Sequence, residues 1–313
     1  MASADLAVDL SALSLSTPSC VRFRPTGDRA WLQERLDDIP RYLFRVFTPE
    51  SGGETNRSWT KSRDARFDGE MSIVDILARQ DDYQVANMLN RHLRWWPCSE
   101  DNFVSWTSSL LFALQYTFFL HISDRDRSTF DDIKICIIDT TNFAEGVFLR
   151  DMDLIQAYRS LGPGLKNLWD LRSRKHDDLA RSFYFGEYLS QGALKIEGKC
   201  EIVSTQEIID HGLFHLQPEF EKAAMWEPIP NTRPPWANEV IRLREVFYQR
   251  TTERQSIDQE ELQAAIRIAS LFEPRWRLPV AANFIALLPR RDGDSAIQQA
   301  FREPHFTGSL SYP

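Results

Sequence analysis

Short apolar stretches predict a set of β-strands in the first two thirds of the chain. Aromatic and branched residues predict one strand over 42–47 (YLFRVF) and another over 103–107 (FVSWT). The continuous apolar run within 133–139 predicts a central strand that is covered on both faces. Further strands are expected at 183–189, 193–196 and 200–203.

Apolar residues spaced three and four apart predict helices between and after these strands. Helices are expected over 73–96, over 108–121 with Ser108 or Thr107 as N-cap, and over 152–158. After residue 236 the pattern is helical only. Two apolar faces mark this last part, Val240/Leu243/Phe247 and Leu262/Ile266/Ala269.

These patterns predict an α+β protein with a small C-terminal helical module. Residues 1–37 are weakly patterned and are expected to be a weakly ordered leader, and 38–222 form the α+β domain. Residues 223–235 are expected to be a linker because closely spaced prolines interrupt helices and sheets alike. The helical module covers 236–306, followed by a tail at 307–313.

Composition and charge narrow the class of protein. The 313 residues carry 37 basic and 45 acidic side chains, a net charge of -8, which argues against a general nucleic-acid coat. The 4 cysteines form no C-x-x-C pair, so no metal site is expected and a reducing compartment is favoured. We find no signal peptide and no transmembrane segment, which predicts an intracellular protein, cytoplasmic or nuclear, with no membrane partner.

Polar residues inside apolar strands are the candidate functional groups. Arg45 lies within 42–47, and a buried guanidinium needs an anionic partner such as a phosphate or carboxylate. Ser105 and Thr107 share one strand face directly before a helix N-terminus. Glu187 lies among aromatic residues, where a carboxylate should be partnered or functional. The residues alone also allow a salt bridge or a solvent-facing edge position for Arg45, and a strand end with an N-cap for Ser105 and Thr107. For Glu187 they also allow an exposed strand carboxylate.

The order Arg45, Ser105/Thr107, Glu187 resembles the Arg–Ser/Thr–Glu pattern of the ADP-ribosyltransferase fold. The best match is Phe-Val-Ser-Trp-Thr-Ser-Ser-Leu over 103–110. Residues 41–222 also resemble a fungal domain family of unknown function through Tyr-Leu-Phe-Arg-Val, Asn-Phe-Val-Ser-Trp-Thr-Ser-Ser-Leu and Gly-Glu-Tyr-Leu-Ser-Gln-Gly. The resemblance implies an ADP-ribosyltransferase-like core, a split mixed or antiparallel β-sheet with flanking helices.

The same resemblance implies an NAD-consuming enzyme of the glycosyltransferase class, either an ADP-ribosyltransferase or an NAD glycohydrolase. Arg45 would bind the pyrophosphate of NAD, and Ser105 and Thr107 would support the nicotinamide-ribose pocket. Glu187 would be the catalytic residue that stabilises an oxocarbenium-like transition state. Tyr188 is a candidate to stack on nicotinamide. NAD would be the substrate, with no metal, and the acceptor would be a protein, a nucleic acid, a small molecule or water.

Two positions depart from the pattern of the transferases. Trp106 stands in the middle of the Ser-Thr-Ser triplet. Phe185 stands two residues before Glu187, where protein-modifying members often carry Gln or Glu, and this argues against modification of arginine. Two alternatives stay open. One is a catalytically silent module of the same fold that binds a partner, and the other is a tailoring enzyme that uses another nucleotide or phosphate substrate.

Overall fold

A computed structural model of the chain describes residues 19–173, 182–225, 236–248, 257–288 and 295–302. The main sheet contains β1 (Tyr42–Phe47), β4 (Phe103–Thr107), β5 (Lys134–Asp139), β6 (Leu149–Arg150), β7 (Glu187–Gln191) and β9 (Cys200–Ser204). These six strands lie in the order β6–β7–β4–β1–β5–β9, and each neighbouring pair is antiparallel. A smaller antiparallel sheet contains β2 (Glu54–Thr55), β3 (Trp59–Lys61) and β8 (Ala193–Lys195).

Helices flank the main sheet. Those before β7 are α1 (Arg63–Arg66), α2 (Asp82–Leu93), α3 (Leu110–Ile122), α4 (Asp151–Tyr158) and α5 (Pro163–Arg172). Those after β9 are α6 (Thr205–Asp210), α7 (Leu213–Leu216), α8 (Glu219–Ala224), α9 (Trp236–Tyr248), α10 (Gln259–Ser270), α11 (Pro274–Ile285) and α12 (Ser295–Ala300). Within the described ranges, no helix is long and apolar enough to cross a membrane. The predicted α+β class, with flanking helices around the sheet, is confirmed.

The helix predicted over 73–96 is shorter than the sequence suggests. Two 3-10 turns occupy Glu70–Ile73 and Ile76–Ala78, and α2 begins only at Asp82. The Asp81 side chain accepts a hydrogen bond from the Gln84 N–H and therefore caps the helix there. The N-cap of α3 also differs from the prediction. It is Ser109, whose hydroxyl accepts from the Phe112 N–H, and not Ser108 or Thr107.

The strand predicted over 183–189 begins only at Glu187. Gly186 has a φ of 70°, a left-handed conformation that an extended strand does not contain. A Cβ at this position would lie 2.3 Å from the Ser108 hydroxyl oxygen, so another residue here would also force this hydroxyl to rotate away. The chain therefore turns at Gly186 and enters the sheet with Glu187 as the first strand residue.

The leader and the linker also differ in part from the prediction. Residues 1–18 lie outside the described residues, but Gly27–Arg35 form a 3-10 helix with Leu32 buried. Helix α8 extends to Ala224, two residues into the predicted linker, and 226–235 lie outside the described residues. The predicted tail at 307–313 lies outside them as well.

Two hydrophobic clusters cover one face of the main sheet. The first packs α3 and the helices α6 to α12 against Phe44 of β1 and Ile135 of β5. The second packs α2, α4 and α5 against Phe103 of β4 and Leu189 of β7. The polar side chains of Ser105 and Glu187 lie on the same face, between the two clusters. Ser105 is two residues from Phe103 and Glu187 is two residues from Leu189, and residues two apart in a strand point to the same face. The sheet thus carries a polar gap between two apolar halves.

We predict that α9 belongs to the folded core. Replacing Leu243, which is fully buried, with Ala should lower the free energy of unfolding by about 2–5 kcal/mol because it leaves a cavity. Val246 on the same helix is 39% exposed and serves as the control, since its replacement by Ala should change the stability by less than about 0.5 kcal/mol. Urea unfolding measures both. Equal stability of Leu243→Ala and wild type would contradict the packing of α9 on the core.

Candidate functional site

Strands β1 and β4 separate from one another after a single registered pair. Phe44 lies opposite Thr107, and continuation of this antiparallel register would place Val46 opposite Ser105. That pairing does not form in the described structure. Arg45 occupies the gap instead, and its Nη1 donates to the Ser105 carbonyl oxygen at 3.1 Å while its Nε donates to the Thr55 hydroxyl at 2.9 Å. The guanidinium therefore satisfies a carbonyl group that the neighbouring strand leaves without a ladder partner.

Arg45 is a half-buried cation with neutral hydrogen-bond partners. The carbonyl of Ser105 and the hydroxyl of Thr55 carry no charge, and none of the described carboxylates forms an ion pair with the guanidinium. Burial lowers the pKa of Arg45 to about 10, so the group is still positively charged at neutral pH. A partly desolvated positive charge without an ion-pair partner favours an anionic ligand.

Ser105 and Glu187 are joined directly. The Ser105 hydroxyl donates to Glu187 Oε1 at 2.8 Å, across the neighbouring strands β4 and β7. The second carboxylate oxygen, Oε2, accepts from Arg172 at 2.9 Å, and Arg172 also pairs with the buried Asp151. Burial would lower the pKa of Arg172, but the two carboxylates raise it above its ordinary value. Glu187 therefore faces a permanent positive charge on the side of Oε2.

His92 and Asp101 extend this hydrogen-bonded network on the other side of Ser105. His92 Nε2 lies 2.8 Å from the Ser105 hydroxyl oxygen, and His92 Nδ1 lies 2.7 Å from Asp101 Oδ2. His92 comes from the last turn of α2, and Asp101 from the segment before β4. Four side chains thus form the chain Asp101–His92–Ser105–Glu187.

Thr107 stabilises the turn that precedes Glu187. Its hydroxyl donates to the Phe185 carbonyl oxygen at 2.8 Å and accepts from the Ser109 N–H at 3.0 Å. Only 4% of Thr107 is exposed, so these two protein groups occupy its hydroxyl away from solvent. Thr107 lies in the same cleft as Ser105, but its contacts serve the backbone around Glu187.

The residues of the polar network line a cleft of about 820 Å³. An aromatic wall borders it, formed by Trp95, Phe112, Tyr116, Phe119, Phe185 and Trp236. Trp95 and Trp236 stack with ring centroids 4.7 Å apart, and Trp236 is the first residue of α9. The C-terminal helices therefore contribute directly to the wall of the cleft. Basic side chains of Lys61, Arg63 and Arg125 also line it.

The structure brings together most, though not all, of the predicted site residues. Arg45, Ser105, Thr107 and Glu187 line the cleft. Tyr188 does not, because strand alternation turns it to the opposite face of the sheet, where 7% of it is exposed and it packs against Trp106 and neighbouring apolar residues. The expectation that Tyr188 stacks on a ligand in this cleft is therefore corrected.

Several residues of the network were missed by the sequence analysis. They are His92, Asp101, Asp151 and Arg172. Three of them lie at or near helix ends and one in a loop, where no alternation or spacing marks them. A signal existed only for Asp101, which stands four residues before Ser105 and therefore on the same side of an extended segment. Among the described residues, no group of three His, Cys, Asp or Glu could hold a metal ion.

Comparison with known proteins shows the family of this chain. Residues 38–197, about half of the sequence, match a domain of unknown function, DUF7587, and the chain belongs to this family. The matched region contains Arg45, Ser105 and Glu187, whereas Trp236 lies outside it. No curated protein and no solved structure matches the chain. Membership of this family assigns no activity to the chain, because the function of the domain is unknown.

We predict that Thr107 stabilises the turn before Glu187. Thr107→Val keeps the side-chain shape but leaves the Phe185 carbonyl and the Ser109 N–H without this partner, which should lower the free energy of unfolding by about 1–3 kcal/mol. Thr26→Val is the control, because Thr26 is exposed and its side chain forms no capping hydrogen bond, and it should change the stability by less than about 0.5 kcal/mol. Chemical denaturation compares the two. Equal effects of both variants would contradict the role given to Thr107.

Proposed function

We propose that this protein consumes NAD, as an ADP-ribosyltransferase or NAD glycohydrolase on an ADP-ribosyltransferase-like fold. The observation that carries the proposal is the convergence of Arg45, Ser105 and Glu187 in one cleft, with Ser105 bonded to both other side chains. The separation of two central strands at Arg45 also fits the split sheet that the resemblance implies.

The size of the cleft and its cation at Arg45 support a dinucleotide as the ligand. Its volume of about 820 Å³ falls in the range of roughly 300–1,000 Å³ typical of small-molecule sites. Arg45 would bind the pyrophosphate, since it is a half-buried cation whose described hydrogen-bond partners are neutral. The aromatic wall offers flat apolar surface for the rings of the ligand.

Glu187 would act on the ribose that carries nicotinamide. The bond between the ribose anomeric carbon and the nicotinamide nitrogen breaks, and its electron pair leaves with nicotinamide. Positive charge then develops on the ribose, where the Glu187 carboxylate stabilises it. Water or an acceptor hydroxyl attacks the same carbon, and its proton passes to Glu187, which later releases it to solvent. Ser105 holds the carboxylate for this step through its 2.8 Å hydrogen bond.

The surroundings of Glu187 favour water or an acceptor other than arginine. Phe185 stands two residues before Glu187, and its ring lies 5.5 Å from that of Phe112 and 5.4 Å from that of Trp236. Such an apolar position offers no hydrogen bond to an incoming guanidinium. Within the proposal, hydrolysis of NAD is therefore the simplest activity to test first.

The second candidate is a catalytically silent module that binds a partner or nucleotide. One observation favours it: both oxygens of Glu187 already have protein partners, Ser105 on one side and Arg172 on the other. A carboxylate so placed also fits a structural role in which it neutralises Arg172. The two candidates differ in whether removal of the charge affects turnover or only stability.

We predict that Glu187→Gln removes most of the activity. The carboxylate charge is needed more in the transition state than in bound NAD, so kcat should fall by about 10²–10³ while KM changes little. Chromatography of released nicotinamide measures turnover, and a melting curve gives the folded fraction. The matched control is Glu197→Gln, because Glu197 is exposed and pairs with Lys195 at the surface.

Three results separate the candidates. A large loss in Glu187→Gln, with full turnover in Glu197→Gln, supports the NAD-consuming function. Full turnover per folded molecule in Glu187→Gln overturns the catalytic role of Glu187. No release of nicotinamide by the wild-type protein, with water or with added acceptors, overturns the proposed activity and favours the silent module.

A further inference from the structure

The Asp101–His92 pair has no role in the function proposed above, although it contacts the site directly. His92 Nε2 lies 2.8 Å from the Ser105 hydroxyl oxygen, which is the same atom that bonds Glu187. Asp101 holds the other ring nitrogen at 2.7 Å. The side chains of His92 and Asp101 are 11% and 18% exposed, so both are largely removed from solvent. The question is what the His92–Asp101 pair does to the Ser105 hydroxyl.

The directions of the hydrogen bonds follow from the number of protons available. The Ser105 hydroxyl has one proton, and an ionised Glu187 can only accept. If Ser105 donates to Glu187, the contact between His92 Nε2 and Ser105 requires that the ring donates. The contact with the Asp101 carboxylate requires that Nδ1 donates too. With both nitrogens as donors, His92 is an imidazolium.

Loss of the His92 proton would reverse the bond to Ser105. A neutral ring that still donates from Nδ1 to Asp101 leaves Nε2 as an acceptor. The single proton of Ser105 would then turn toward His92, and Glu187 Oε1 would lose its donor. The protonation state of His92 therefore decides whether Ser105 supports Glu187.

The groups around His92 favour the protonated ring. Those that face it from neighbouring elements are Asp101 and Ser105 from β4 and the segment before it, Glu187 from β7, Arg45 from β1, and the Phe103 ring, whose centroid lies 5.4 Å away. Burial and Arg45 lower the pKa of His92. The charge and hydrogen bond of Asp101, together with the charge of Glu187, outweigh these two effects. The pKa of His92 is therefore raised above its ordinary value.

We propose that His92, held by Asp101, is a positioning residue that turns the Ser105 hydroxyl toward Glu187. The proposal rests on the NAD-consuming function and specifies how its carboxylate is held. Neither His92 nor Asp101 needs to touch the ribose, because both act through Ser105. Turnover is then full while His92 is protonated and falls as the pH rises through its pKa.

The test is the pH profile of nicotinamide release in three variants. His92→Gln supplies an amide N–H that does not titrate, so it should keep turnover within about tenfold of wild type and lose the decline at high pH. His92→Leu supplies no donor, so it should lower kcat by about 10–100-fold at pH values where the wild-type ring is protonated, with KM unchanged and no decline at high pH. Asp101→Asn removes the charge that raises the pKa, so the decline should move to lower pH by about one unit or more.

His121→Gln is the matched control. His121 lies on α3, where its ring stacks on Phe130 and its Nδ1 contacts the Ser128 carbonyl oxygen, away from the cleft. Its replacement should leave both turnover and the pH profile as in wild type. A pH profile that changes equally in His92→Gln and His121→Gln would overturn the proposal.

Nitrogen-15 NMR of the imidazole gives a readout that is independent of turnover. The NMR midpoint of His92 should lie above the ordinary histidine value and should match the decline of kcat. A midpoint at or below the ordinary value, or an unchanged decline in His92→Gln, overturns the positioning role while the NAD-consuming function stands. If wild type releases no nicotinamide, the function fails first and the positioning role fails with it.

Discussion

The bond from Arg45 to the Ser105 carbonyl is the constraint on which the site depends. Two antiparallel strands that stay paired would use this carbonyl in their ladder and would leave no room between them. Here β1 and β4 share one registered pair and then separate, and the guanidinium takes the place of the missing partner. The separation opens the sheet where Ser105 and Glu187 point into the cleft. The same bond brings a permanent positive charge to that opening.

The cost of this arrangement is a set of buried charges that depend on one another. Arg172 lies between Asp151 and Glu187, and burial raises the pKa of Asp151 to about 7. His92 pairs with Asp101, whereas Arg45 contacts only neutral atoms in its described hydrogen bonds. Buried charges normally form pairs because desolvation is costly. Among the charges named here, the half-buried Arg45 is the exception, and an anionic ligand would pair with it.

The sequence allowed much of the main sheet to be predicted, together with its polar residues. Arg45, Ser105 and Glu187 were recognisable because a polar residue inside an apolar strand is unusual, and strand alternation put Ser105 and Thr107 on one face. The same alternation, applied from Glu187, places Tyr188 on the opposite face and argues against it as a cleft residue. Residue type suggested Tyr188 as a stacking residue, whereas its position in the strand places it outside the cleft.

The rest depends on how distant segments meet. His92, Asp151 and Arg172 come from helix ends, and only the packing of α2, α4 and α5 on the sheet brings them to Glu187. Trp236 reaches the cleft because α9 packs on α3. The sequence pattern also did not predict two local turns. Asp81 caps α2, so the helix begins at Asp82, and the turn at Gly186 makes Glu187 the first residue of β7. Spacing along the chain carries little information about such contacts.

Calorimetry with two ligands tests the central claim most directly, because ADP-ribose contains a pyrophosphate and adenosine does not. If Arg45 binds the pyrophosphate, Arg45→Ala should weaken ADP-ribose by about 1.5–3 kcal/mol, roughly 10–150-fold, and leave adenosine affinity unchanged. Arg45→Lys should recover only part, since it lacks the planar fork. Arg275→Ala, an exposed charge outside the cleft, is the control. Equal affinity of wild type and Arg45→Ala for ADP-ribose would contradict the account.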